Sequence, residues 1–165
     1  MAYEFYVTIE GTRQGAFKGE SPREAHNKKV AGLSYSHEIT SPRDIATGQA
    51  SGKRQHGPIS ITKEWGAASP QLFQALVTNE VLKSVLFEFF HTTPDGLEEV
   101  YHTIKLANAT VSKIKQMTGS GESSSSAKTG ATYDTHELEE VSFTYQSIEV
   151  ENMPGQTSAG DDWTK

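Results

Sequence analysis

Cysteine is absent from the 165-residue chain, and with it go disulfides, thiolate metal sites and cysteine nucleophiles. No apolar run approaches the ~20 residues a bilayer-spanning helix needs. The opening MAYEFYVTIEG has neither a basic n-region nor a continuous apolar h-region, so synthesis in the cytosol without a cleaved signal peptide is the expectation. A basic surplus is missing as well. The net charge is -6, with +1 carried by Met1 to Thr118 and -7 by Gly119 to Lys165. Nucleic-acid-binding domains are usually basic, with pI above about 9, so neither nucleic acid nor membrane is the expected partner.

Catalytic and metal-binding signatures are equally scarce. No pair among His26, His37, His56, His91, His102 and His136 has the spacing of a helical zinc motif. His91 and His102 are the two that a hairpin would bring near each other. HELEE at His136 lacks the second histidine of a zincin, and there is no Gly-x-Ser-x-Gly elbow. Glu98-Glu99 and Glu139-Glu140 fall on strand patterns, where neighbours point to opposite faces and cannot form an acid/base dyad. No catalytic residue, metal or cofactor is expected, and the chain does not read as an enzyme.

What is present is a period of two. In YEFYVTIEG, Tyr3, Phe5, Val7 and Ile9 share one face and Glu4, Thr8 and Glu10 the other, the alternation of a half-buried strand. VAGLSYSHEI puts Leu33, Tyr35, His37 and Ile39 on one side, and ISITKEW does the same with Ile59 and Ile61. One segment changes period: SPQLFQALVTNEV offers Ser69 as a cap, Pro70 at the first helical position and Leu72, Phe73, Leu76 and Val77 on one stripe. Pro94-Asp95-Gly96 then turns a hairpin, and the alternation slips near Asn108, which predicts a bend or bulge. Gly119 to Thr132, GSGESSSSAKTGAT, reads as a flexible loop. Val141, Phe143 and Tyr145 resume a strand, and the tail from Asn152 to Lys165 reads as loose, with Trp163 its one docking residue. The expected fold is mainly β, a compact barrel or sandwich of two antiparallel sheets with one short flanking α-helix, in one domain of residues 1–165.

One stretch stands apart: SPRDIATGQASGKRQHGP, Ser41 to Pro58. Its Gly48 and Gly52-Lys53 look like a phosphate loop, but a phosphate loop needs four residues between its glycines and a hydroxyl after the lysine. Here there are three residues, then Arg54. A strand rather than a helix follows, so the anion-binding helix N-terminus is missing too. A loop of about 19 residues without secondary structure is usually functional or disordered. Arg43, Lys53 and Arg54 outweigh Asp44 in it, and a basic arm on an acidic chain points to self-association. Contacts between unlike surfaces close rings or extend filaments. The residues also leave open a monomeric β-sandwich module that binds a small ligand or glycan.

SYSHEITSPRDIATGQASGKRQHGPISITKEWGAASPQLFQAL, EVYHTIKLANATVSKIKQ and DTHELEEVSFTYQSIEVE resemble the Hcp family, the hemolysin-coregulated tube proteins of bacterial type VI secretion. The likeness runs from the first strand to about Glu151, and the Ser-rich Gly119 to Thr132 loop is longer than the family pattern. The resemblance implies a barrel of two antiparallel sheets with a flanking helix, six copies per ring, and rings stacked into a tube that a contractile sheath expels. It further implies effectors in the lumen, a VgrG spike at the tip and export without a cleaved signal peptide. By position in the matching loop it makes Arg43, Asp44, Gln49, Ser51, Lys53, Arg54 and His56 the subunit-interface candidates.

Overall fold

The computed structural model describes residues 4–19, 28–118 and 137–162. The Gly119 to Thr132 loop, Tyr3, Trp163, His26 and His136 lie outside them. The first strand, β1 (Glu4–Gly11), buries Phe5, Val7 and Ile9 as its alternation predicts. It pairs with the short β2 (Gly15–Ala16) and with β3 (Val30–Gly32). The second alternating run is split. β3 bonds to β1, the chain crosses over at Leu33, and β4 (Ser34–Ser36) bonds to β7 (Ile59–Glu64). Tyr35 therefore faces the core, while Leu33 and Ile39, expected on its face, are exposed.

The hairpin forms from β8 (Leu82–Thr92) and β9 (Glu98–Thr118). At its turn Gly96 has φ 81°, the left-handed region that only glycine occupies at no cost. The 21-residue β9 holds the two sheets together. Its first half lies between β8 and β11 (Ser147–Asn152), and its second half pairs with β10 (Glu137–Thr144), which pairs in turn with β7. Between the halves Asn108 takes φ 51°; this is the predicted bend, and it turns one strand from the first sheet into the second. All pairings are antiparallel, and the sheet path from β2 to β4 does not close into a complete ladder.

Side chains from both sheets meet in one core, in which Phe87, Phe143, Ile59, Ile61, Leu106 and Val141 are buried. The rings of Phe87 and Phe143 meet edge to face across it. The helix α1 (Ser69–Thr78) sits where the sequence places it, and Leu72 and Leu76 of the expected stripe pack inward while its other two members do not. Ala68, Leu72 and Ala75 are buried, whereas Phe73 and Val77 are each 55 % exposed. The burial stripe follows i, i+4, i+7 from Ala68. Ser69 does not cap the helix, for Ala68 holds that position without a side-chain bond. The Ser69 hydroxyl instead accepts the Gly66 N–H at 3.0 Å and donates to Glu139 at 2.7 Å.

The tail also departs from expectation. Asn152 to Gln156 make a turn in which the Asn152 side chain accepts the Gly155 N–H at 2.9 Å, and Thr157–Asp162 return as β12, paired along β11. Polar, glycine-containing TSAGDD carries no strand pattern; its order comes from the backbone ladder of a neighbour.

Candidate interface arm

The excursion between β4 and β7 is an ordered hairpin-like arm, not a structureless loop. At its base β5 (Ile39–Thr40) pairs with β6 (Gln55–His56), and farther out Arg43 bridges Ala50. The tip is built from backbone bonds: Asp44 N–H to Gln49 O at 2.8 Å, Gly48 N–H to Asp44 O at 2.8 Å, and Ser51 N–H to Pro42 O at 3.0 Å. The Asp44 carboxylate accepts the Ala46 N–H at 2.8 Å, an Asx turn that starts the reversal. Gly48 completes it at φ 73°, where a side chain would be strained. The glycines that imitated a phosphate loop therefore serve a chain reversal.

Arg43, Asp44, Gln49, Ser51 and Lys53 all lie exposed on this arm. Arg54 and His56, at its base, are engaged within the chain. The Arg54 guanidinium donates from Nε and Nη2 to the two carboxylate oxygens of Asp161, the second bond at 2.7 Å, and also to the Asp162 carbonyl at 3.1 Å. This is the planar bidentate fit that favours arginine over lysine. His56 reaches Asp161 through Nε2 at 2.7 Å and the Tyr145 hydroxyl through Nδ1 at 3.1 Å. His37 reaches the same hydroxyl through Nε2 at 2.6 Å.

The electrostatics follow from these contacts. The hydrogen bonds from Arg54 and then His56 hold the Asp161 carboxyl down at about 2. Burial pushes the Tyr145 phenol up to about 12, with the Asp161 charge adding to the effect. Burial, and secondarily the neighbouring His56, lowers His37 below its ordinary 6.5.

Sequence reasoning missed three members of this network, His37, Tyr145 and Asp161, which reach the arm base from distant parts of the chain. It also missed Ile45, which is fully exposed at the tip. Ile45 is the only large aliphatic side chain between Ser41 and Pro58, and that isolation was the available signal. No group of three or more His, Asp or Glu side chains among the described residues is placed to hold a metal. The two hairpin histidines are not cross-strand partners: His91 pairs with Glu99 and His102 with Phe89.

A family model described as the type VI secretion system effector Hcp matches residues 6–151. The chain belongs to the Hcp family. A relative from Pseudomonas aeruginosa strain PAO1, named major exported protein, is 36 % identical over 99 % of this chain and 96 % of its own. Among solved structures, an Hcp protein superposes with a TM-score of 0.87 at 30 % identity, covering 99 % of both chains. The Hcp1 protein of the E. coli EAEC 042 pathovar gives 0.82 at 26 % identity over 98 % of this chain and 99 % of its own. Hcp proteins are secreted structural components of the type VI tube and not enzymes. What this chain offers chemically is therefore surfaces rather than a reaction.

Proposed function

We propose that this Hcp chain assembles into six-membered rings that stack as the inner tube of a type VI secretion system, with the arm gripping a neighbouring copy. The observation that carries this reading is the fully exposed Ile45, held at the end of an arm whose tip is built from backbone hydrogen bonds. A fixed apolar tip among charged residues resembles an anchor in a polar rim, the arrangement found where a few side chains dominate binding. Arg43, Asp44, Gln49, Ser51 and Lys53 form that rim. Arg54 and His56 serve the contact by fixing the arm's base.

In this reading the protein is made in the bacterial cytoplasm and leaves through the apparatus itself. The sheath surrounds the tube, VgrG caps it, and effectors ride in the ring lumen. Tube transport needs inter-ring contacts that hold under load and separate after delivery, which suits a small apolar anchor with an exposed charged rim better than a large buried interface. Negative-stain imaging of the purified protein tests the reading: rings with an open centre are expected, and uniformly monomeric particles would overturn it.

A further inference from the structure

We propose that the base of the arm is a proton-sensitive clamp, in which His37 and His56 close on Tyr145 at neutral pH and release the arm on mild acidification while the sheets stay folded. The clamp joins three parts of the chain. His37 precedes β5, Arg54 and His56 belong to the returning strand of the arm, and Tyr145 and Asp161 belong to the body.

With both rings neutral, one donor order satisfies every bond: His37 Nε2–H to the phenol oxygen, Tyr145 O–H to His56 Nδ1, and His56 Nε2–H to Asp161. With both rings protonated, two N–H groups converge on one phenol oxygen. The phenol hydrogen is then left with the Gly57 carbonyl at 3.4 Å, and the His37 charge lies beside His56. The proton on His37 is the one the clamp resists, because it would place a partly buried charge beside His56.

Of the other groups facing the clamp, Asp162 adds a second negative charge near Arg54. Tyr35 of β4 lies on its inner side, where burial keeps the phenol neutral. Lys105 of β9 and Glu149 of β11 border Asp161 and Asp162 along an open groove of about 560 Å³ and offset one another. Glu38 contributes its backbone carbonyl, which accepts the Gly57 N–H at 2.8 Å.

The direction of the pH effect follows from His37. Its docked pKa lies below the ordinary 6.5, so an undocked arm binds more protons and docking weakens as pH falls through 6.5. Asp161, held at about 2, stays ionised throughout and does not supply the step.

Hydrogen–deuterium exchange of the purified protein at about pH 7.5 and about pH 5.5, a span in which histidines titrate, tests the clamp once rates are corrected for intrinsic exchange. Arm peptides covering residues 38–58 are expected to lose protection at the lower pH while β8 peptides do not. His37→Gln, which keeps a hydrogen-bonding side chain that does not titrate, should abolish the pH-dependent difference. An arm equally protected at both values, a difference that persists in His37→Gln, or a parallel loss in β8 would each overturn the proposal. Ring formation is scored separately by imaging, so the two readings fail independently.

Discussion

Two ion pairs in this molecule have the same contact distance of 2.5 Å and opposite surroundings. Lys63 of β7 and Glu139 of β10 meet at 2.5 Å with both side chains fully buried. Ser69, Gln116 and the Glu64 carbonyl complete their hydrogen bonds. Arg54 and Asp161 meet at the arm base with each side chain about one third exposed. In the first pair, neither charge has water to fall back on, so losing one partner strands the other in the core. In the second, water and salt screen the attraction, and the pair sets the arm's position more than the fold's stability. The sandwich is thus held by burial and the arm by a few exposed polar contacts, so that the arm can be altered without unfolding the body.

The largest expected effect tests the buried side of that contrast. Glu139→Gln leaves the Lys63 ammonium uncompensated and should cost about 3–5 kcal/mol, a fall in Tm on the order of 10 °C for a chain of this size. Lys63→Met combined with Glu139→Leu should recover most of it; a double variant as unstable as the single one would mean the pair contributes more than its own neutralisation.

The arm should behave the other way. Ile45→Asp, or Lys53→Glu, is expected to abolish or weaken assembly seen by imaging while shifting monomer stability by no more than about 0.5 kcal/mol. Assembly that survives both changes would remove the arm from the interface.

Acid sharpens the comparison further. Because the folded Asp161 titrates at about 2 against an ordinary 3.8, its contribution is present above 3.8 and lost as pH falls through about 2. The Asp161 carboxyl carbon shift in an NMR titration should stay flat down to about pH 4; a midpoint at the ordinary carboxylate value would mean that Arg54 does not hold it.

The smallest effects come from groups outside both pairs. The Tyr35 hydroxyl is buried with no hydrogen-bond partner among the described residues, so Tyr35→Phe should leave Tm unchanged or raise it. Deleting Ser123 to Ser126, which lie outside the described residues, should also move Tm little, since Gly/Ser segments contribute little packing.

Much of the body was legible because its signals are local. Alternation placed β1 and β7, Pro94-Asp95-Gly96 placed the hairpin, and the phase slip at Asn108 marked where β9 changes sheets. The same alternation puts Lys63 in register with Ile59 and Ile61, although nothing local names Glu139 as its partner. The arm's seven candidate residues could be found as a charged, glycine-rich stretch. That Arg54 and His56 are tied to the body could not, because Asp161 lies 107 residues from Arg54. β12 was missed for a similar reason: its order is lent by β11. The helix was placed correctly but only Leu72 and Leu76 of its expected stripe pack inward, because Phe73 and Val77 are as apolar as the residues that α1 turns inward.

Sedimentation of the purified wild-type protein beside Ile45→Asp tests the central claim, that a rigid arm on an independently stable sandwich drives assembly. The account predicts a wild-type species of about six times the 18.1 kDa chain, or multiples of it, and a lighter, still folded Ile45→Asp species. A wild-type protein that sediments as a folded monomer, or a variant that sediments like the wild type, would contradict it.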